Sequence, residues 1–374
     1  MRFAKIIASI FMIIGPIAVA QEPIAEDPAA AIQTVQNATA EDRASESKIS
    51  ESKIGKRDAT EPPPALPTRW LLLCCGLPGD ADHRERLTAA CEKIIAAAEP
   101  ILGVPPERLR VLAGDQEMRD AIADQANSVG VCTKESVSGA IQALCDQVKP
   151  GDACWVMLLG HAHLYGSASK FNVLGADFDQ TEFAAWSKPL ACSEQVFWIT
   201  MPVSGFWIKP LSGHSRVVIS ATEPDLEVTG TEMPYALADI FTGDHEQQEL
   251  EDVDQDGSLS LLDLYLAANL EIHGRFASME RLQTEHAQLE DNGDGRGSEV
   301  QLAYLPVDKD EETPEANAEA DSTDEAKPTD QAAPGVEPPK PISNENLDGY
   351  RSRQILINAT TNEATFSSHP TDET

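Results

Sequence analysis

The sequence predicts an α/β fold, a mostly parallel sheet flanked by helices in three layers. Three observations carry this reading. Apolar runs of strand length recur at residues 70–75, 109–112, 154–159, 196–200 and 216–221. Stretches with helical apolar spacing lie between several of them. The run at 70–75 is apolar throughout rather than alternating, which is the pattern of a strand buried on both faces.

The elements follow in order. After the first strand, Leu77-Pro78-Gly79-Asp80 turns the chain. From His83 to Ala98, Leu87, Ala90, Cys91, Ile94 and Ile95 share one helical face. A short strand covers 109–112. Thr133 is a helix cap, and Val137, Ile141, Leu144 and Val148 face inward behind it. Then come the strand at 154–159, a short helix at 181–186, and the strands at 196–200 and 216–221. Helices are expected over 235–241, 261–272 and 276–289.

The flanks read differently. Arg2 and Lys5 precede a short apolar stretch, and Ala18-Val19-Ala20 stands before Gln21, so residues 1–20 read as an export signal. Its apolar run is too short for a good membrane span. Residues 21–66 are polar, end in a proline run, and read as a disordered leader. The folded part is expected at 67–245, continued by a loop and C-terminal helices at 246–304. Residues 305–374 read as a disordered acidic, proline-rich tail; from 308 to 341 there are eleven acids and three lysines. No fold is assigned to the apolar patch at 355–357.

The formal net charge of -34 argues against nucleic acid as a partner, because phosphate would be repelled. Cations and basic surfaces suit it better. Seven cysteines leave at least one thiol unpaired within the chain. Cys74, Cys75 and Cys154 sit in apolar strands and read as small buried hydrophobes.

Ligands in such sheets bind beyond the carboxyl ends of the strands. His161 follows one strand there, and Met201-Pro202-Val203-Ser204-Gly205 follows the next in sequence. A histidine beside a thiol is the arrangement of cysteine proteases. The chain from Trp70 to about Glu299 resembles caspase-fold proteins of the legumain (C13) type and their exported bacterial relatives. The resemblance rests on Gly160-His161, on residues 170–175, on residues 211–222 and on residues 284–295. It implies a dyad of His161 with a cysteine two residues before Ser204-Gly205, and Pro202 stands at that position. Proline has neither a thiol nor a backbone N–H, so it removes the nucleophile and one oxyanion donor together. Ser204 is the nearest substitute hydroxyl and reads as part of a tight turn. His163 has the strand parity to join His161 at a metal, with Asp177 or Asp179 as a third ligand. Asp179 also reads as the cap of the helix at 181–186.

A second motif runs from Asp252 to Asp263. Asp252, Asp254 and Asp256 fall at positions 1, 3 and 5 of an EF-hand-type loop, and Gly257 supplies its sharp turn. Ser258, Ser260 and Asp263 complete the candidate ligand set, and the implied cofactor is Ca2+. Asp263 stands where a bidentate glutamate is usual. From Val217 to Gly274 there are fourteen acids and no lysine or arginine, which calls for a counter-ion. Residues 290–295 echo the loop in part, but Arg296 and Gln301 make that stretch read as a turn.

The leading expectation is an exported pseudopeptidase, periplasmic, envelope-bound or secreted. It binds a peptide or protein in the former substrate cleft and has no membrane span once the signal is cleaved. The alternatives are an active cysteine- or serine-type endopeptidase with a displaced nucleophile, and a structural cell-envelope protein.

Overall fold

Seven strands form one sheet, and its two central members are the most apolar. In the computed structural model, β1 (Arg69–Cys75) pairs on one side with β2 (Leu109–Ala113) and on the other with β4 (Ala153–Leu159). β3 (Val129–Val131) extends the β2 side. Beyond β4 lie β8 (Glu194–Ile199), β9 (Arg216–Ser220) and β10 (Gln288–Glu290), giving the order β10-β9-β8-β4-β1-β2-β3. Every pairing is parallel except β10 with β9. The structure describes residues 67–243, 250–254, 256–299 and 346–357. The segments read as an export signal and a leader, and most of the stretch read as a tail, therefore lie outside the described residues.

Alternation along the strands feeds two cores. Leu71, Leu73, Trp155, Met157 and Leu159 face one side, and Leu72, Cys74, Val156 and Leu158 the other. The first core is covered by α1 (Ala81–Ala98), α2 (Gln116–Ala121), α6 (Met233–Thr242) and α7 (Leu261–Ser278). The second is covered by α3 (Lys134–Gln147), α4 (Gln180–Ser187) and α5 (Ile208–Leu211). Side-chain caps start most of these helices. Asp80, Asp115, Thr133, Asp179 and Ser260 each accept a first-turn N–H, satisfying donors that have no partner within the helix. Among the described residues, no helix is long and apolar enough to cross a membrane.

The structure departs from the sequence reading in three places. The helix expected over 276–289 does not form. α7 runs on to Ser278 and stops where Glu280 takes a left-handed conformation (φ 53°), with Arg281 N–H donating to the Phe276 carbonyl and Glu280 N–H to that of Ala277. These are the paired bonds of a Schellman closure. Residues 288–290 then form β10, the antiparallel edge strand. Second, β5 (Ala162–Tyr165), β6 (Ala168–Phe171) and β7 (Phe178–Asp179) make a separate small antiparallel sheet after β4. All seven cysteines are free and all but Cys145 are buried, as read for Cys74, Cys75 and Cys154.

Third, residues 346–357 pack on the core although they fall in the stretch read as tail. Ile355 and Ile357 are buried, Leu261 N–H donates to the Ile355 carbonyl, and Ile357 N–H donates to that of Leu259. Arg69, fully buried at the start of β1, holds this strap. Its guanidinium donates to the carbonyls of Leu102 and Leu356 and to Glu194 at 3.1 Å, and lies over the Trp155 ring. A short apolar patch inside an acidic segment gives little periodicity to read, and its partners are remote in sequence.

Candidate functional site

From β1 the chain moves outward to β2 and β3, then crosses to β4 on the other side of β1. The carboxyl ends of β1 and β4 therefore flank the topological switch point, where open α/β sheets hold ligands. Gly76 N–H donates to the Leu159 carbonyl at 2.7 Å and ties the two strand ends together. Gly160 has φ 138°, and a Cβ there would lie 3.1 Å from Gly76 Cα, so the close approach needs glycine.

His161 stands at this point. Its ring meets that of His83, at the start of α1, edge to face at 4.8 Å. His83 Nδ1 is 2.8 Å from Asp80 Oδ1, the cap of the same helix. Burial lowers the pKa of His161, and His83 lowers it further against a hydrogen bond to the Pro78 carbonyl. At neutral pH the imidazole is accordingly uncharged. It is a polar, half-buried ring with one face on another histidine.

His163 does not join it. His163 Nδ1 lies 2.7 Å from Asn172 Oδ1. Asp177 accepts the Val173 N–H, and Asp179 caps α4 through the N–H groups of Thr181 and Glu182. The metal set of His161, His163 and Asp177 or Asp179 is not assembled. His161 precedes β5 and His163 lies within it, and the small sheet turns the two side chains to different partners.

β4 and β8 are paired neighbours, with Leu158 opposite Ile199. His161 and Pro202 each follow these residues at the same distance along the chain, so both lie on the same sheet edge. Pro202 is buried. Val203 takes a left-handed conformation (φ 52°), uncommon for a β-branched residue, and its N–H donates to the Glu227 carbonyl. Ser204 is fully buried. Its Oγ lies 3.2 Å from Thr222 Oγ1 and accepts the Thr222 N–H at 3.1 Å. The hydroxyl ties the turn after β8 to the turn after β9. Gly205 completes the tie, since a Cβ there would lie 2.2 Å from the Glu223 carbonyl carbon. Gly205→Ala is expected to destabilise the protein by about 1–3 kcal/mol, the range of overpacking in a close-packed interior, measured by urea unfolding.

No cysteine offers a ready thiolate here. A hydrogen bond with Cys91, together with burial, raises Cys75 well above the ordinary thiol value. Burial raises Cys74, with Cys132 adding to the effect. Cys192, before β8 and so at the opposite end of that strand, is pushed up to about 11 by burial.

The acidic loop lies at the start of α7. Asp252, Asp254 and Asp256 each bring a carboxylate oxygen within 4.8 Å of the others, so this cluster can hold a metal ion. Asp252 accepts the N–H groups of Asp256 and Gly257, and Asp256 accepts that of Ser258. Gly257 has φ 88°. Two of the other expected ligands, Ser260 and Asp263, are engaged elsewhere. Asp263 and Ser260 form the α7 capping box, and Asp263 Oδ1 also accepts the N–H groups of Val253 and Asp254. Burial and the neighbouring Asp263 and Asp256 push Asp254 up to about 7. Arg353 of the strap is the present counter-ion. Its Nε donates to Asp256 Oδ2 at 2.9 Å and lies 2.8 Å from Asp254 Oδ2, an ionic contact rather than an aligned hydrogen bond.

Sequence reasoning missed Asp80 and His83 in the crevice, and Arg353 at the loop. The first pair was legible as a capping aspartate three residues before a histidine. Arg353 gave no signal, because its partners lie about a hundred residues away. No family model matches the chain, and no curated protein matches it closely enough to count as a relative.

Proposed function

We propose that the protein is an exported pseudopeptidase of caspase-like, legumain-type fold that binds a peptide or protein at the strand-end crevice without cleaving it. The observation that carries this is Pro202 on the edge shared with His161, beside a Ser204 whose hydroxyl is already held by Thr222. A histidine that shares its strand-end edge with Pro202 and an already bonded Ser204 has the polarity to bind a peptide group but finds no nucleophile at the position the resemblance implies. Ca2+ at Asp252, Asp254 and Asp256 belongs to the same reading, because hard oxygen ligands suit that ion. Basic character in the ligand fits the net charge of -34.

The test is digestion of a diverse peptide library by the protein with and without Ca2+, read by mass spectrometry beside His161→Ala. The expected result is no cleavage in any arm, together with retention of a peptide subset that His161→Ala fails to retain. Cleavage that disappears in His161→Ala would establish a hydrolase with a displaced nucleophile instead.

A further inference from the structure

We infer that the turn at residues 290–295 is a second divalent-cation site, a Ca2+-type loop ligated by Glu290, Asn292 and Asp294. Its spacing repeats that of the loop at Asp252, and so does its hydrogen bonding. At the first position, Asp252 accepts the N–H of Gly257 and Glu290 that of Gly295. At the third, Asp254 accepts from Asp256 and Asn292 from Asp294. At the fifth, Asp256 accepts from Ser258 and Asp294 from Arg296. The turning glycines match as well, with φ 88° at Gly257 and 78° at Gly295.

Loop shape alone would leave this a turn. The independent observation is Glu290 itself. Its side chain is fully buried, and Oε1 accepts from Ser212 Oγ and from the N–H groups of Gly293 and Gly295. Those two N–H groups belong to the loop, so the carboxylate is turned into it. Its other oxygen, Oε2, has no hydrogen-bond partner among the described residues. A buried carboxylate oxygen with no donor is costly, and buried charges are normally paired or on a metal. No cation of the chain is paired with Glu290 among the described residues, whereas the first loop has Arg353. A hard cation taking oxygen ligands supplies what Oε2 lacks, with Asn292 and Asp294 contributing side-chain oxygens and water the rest. Arg296 at the seventh position is no obstacle, because that position ligates through its backbone carbonyl.

The strap sits against both loops. Asp291 accepts the N–H groups of Gly349 and Ser352, and Asn292 Nδ2 donates to the Asn346 carbonyl. Arg353 reaches the first loop from the same segment.

The experiment is Ca2+ titration of the full chain by calorimetry and equilibrium dialysis after removal of metal by chelator. The wild type is expected to bind two Ca2+ per chain. Glu290→Gln is expected to bind one, and so is Asp294→Asn, a change at an exposed position that spares the core. Asp254→Asn with Asp256→Asn should keep one site, and adding Asp294→Asn should abolish it. A wild-type stoichiometry of one or none that Asp294→Asn leaves unchanged would overturn the inference. A single site lost in Asp294→Asn but kept in Asp254→Asn with Asp256→Asn would uphold this loop and remove the one at Asp252.

Discussion

Arg69→Met is expected to cost about 3–5 kcal/mol of stability, the range for breaking a buried ion pair from one side. Arg69 is fully buried, and the side chain of Glu194 is 12% exposed. The guanidinium also satisfies the carbonyls of Leu102 and Leu356. Methionine fills similar space but takes the donor from those carbonyls and the cation from a nearly buried carboxylate. Glu194 keeps one partner, the Trp155 indole N–H at 2.7 Å, which is too little to balance the charge. The double variant Arg69→Met with Glu194→Gln should recover much of the loss, because it removes the unpaired charge and retains an acceptor for Trp155. Urea unfolding followed by tryptophan fluorescence measures both. A single variant within about 1 kcal/mol of wild type would show that the charge is solvated in the native state. So would a double variant no better than the single. Because the strap hangs on the Leu356 carbonyl, proteolytic cleavage within 346–357 should accelerate in Arg69→Met as well.

The sheet was legible because its central strands are buried on both faces. Residues 70–75 and 154–159 carry unbroken apolar runs, and nothing in a helix or loop needs that pattern. α3 and α4 were legible for a second reason, the caps at Thr133 and Asp179, whereas α1 was read from its apolar spacing alone and its cap at Asp80 passed as a turn residue. What failed were elements whose identity is decided by remote partners. Residues 288–290 have a helix-compatible composition, and only pairing with β9 makes them a strand. Ile355 and Ile357 mean little until Leu259 and Leu261 are placed beside them. The candidate site divides in the same way. His161, Pro202 and the three aspartates could be placed from strand ends and loop spacing. The diversion of Ser260 and Asp263 into a helix cap could not, since a capping box and a loop terminus share the same residues here. Nor could the arrival of Arg353, which turns the acidic loop from an uncompensated cluster into one end of an ionic clasp.

Stability should fall as pH rises from about 5 to about 8 in the presence of a chelator, against the usual trend for carboxylates. Glu285 leads the effect. It is 1% exposed, and burial pushes it up to about 8 even though it accepts the N–H groups of Glu232 and Met233 at the start of α6. Its ordinary value is 4.5. Between those values the folded chain holds a proton that the unfolded chain has released. The folded state therefore binds more protons, and its stability drops by up to about 1.4 kcal/mol per pH unit from this group alone. The contribution is fully present below the unfolded value and gone above the folded one. Asp348, raised to about 6 by burial, adds the same sign over a narrower window. His286, raised by its hydrogen bond to Glu227, also loses stability as pH climbs through its folded value. Glu285→Gln removes the titrating group but turns an amide NH2 toward one of the two N–H donors, so it should start below the wild type near pH 5 and show a flatter fall between pH 5 and pH 8. Thermal unfolding at the two pH values reads this directly, and an unchanged slope in Glu285→Gln would remove Glu285 from the account. Calcium should act in the opposite sense. Metal ligation requires ionised carboxylates, so added Ca2+ should raise stability more near pH 8 than near pH 5 and flatten the profile. At a hundredfold excess over Kd, one site is worth about 2.7 kcal/mol. Asp254→Asn with Asp256→Asn should remove the part of that gain due to the first loop while leaving the Glu285 slope in place, which separates the metal from the buried acid.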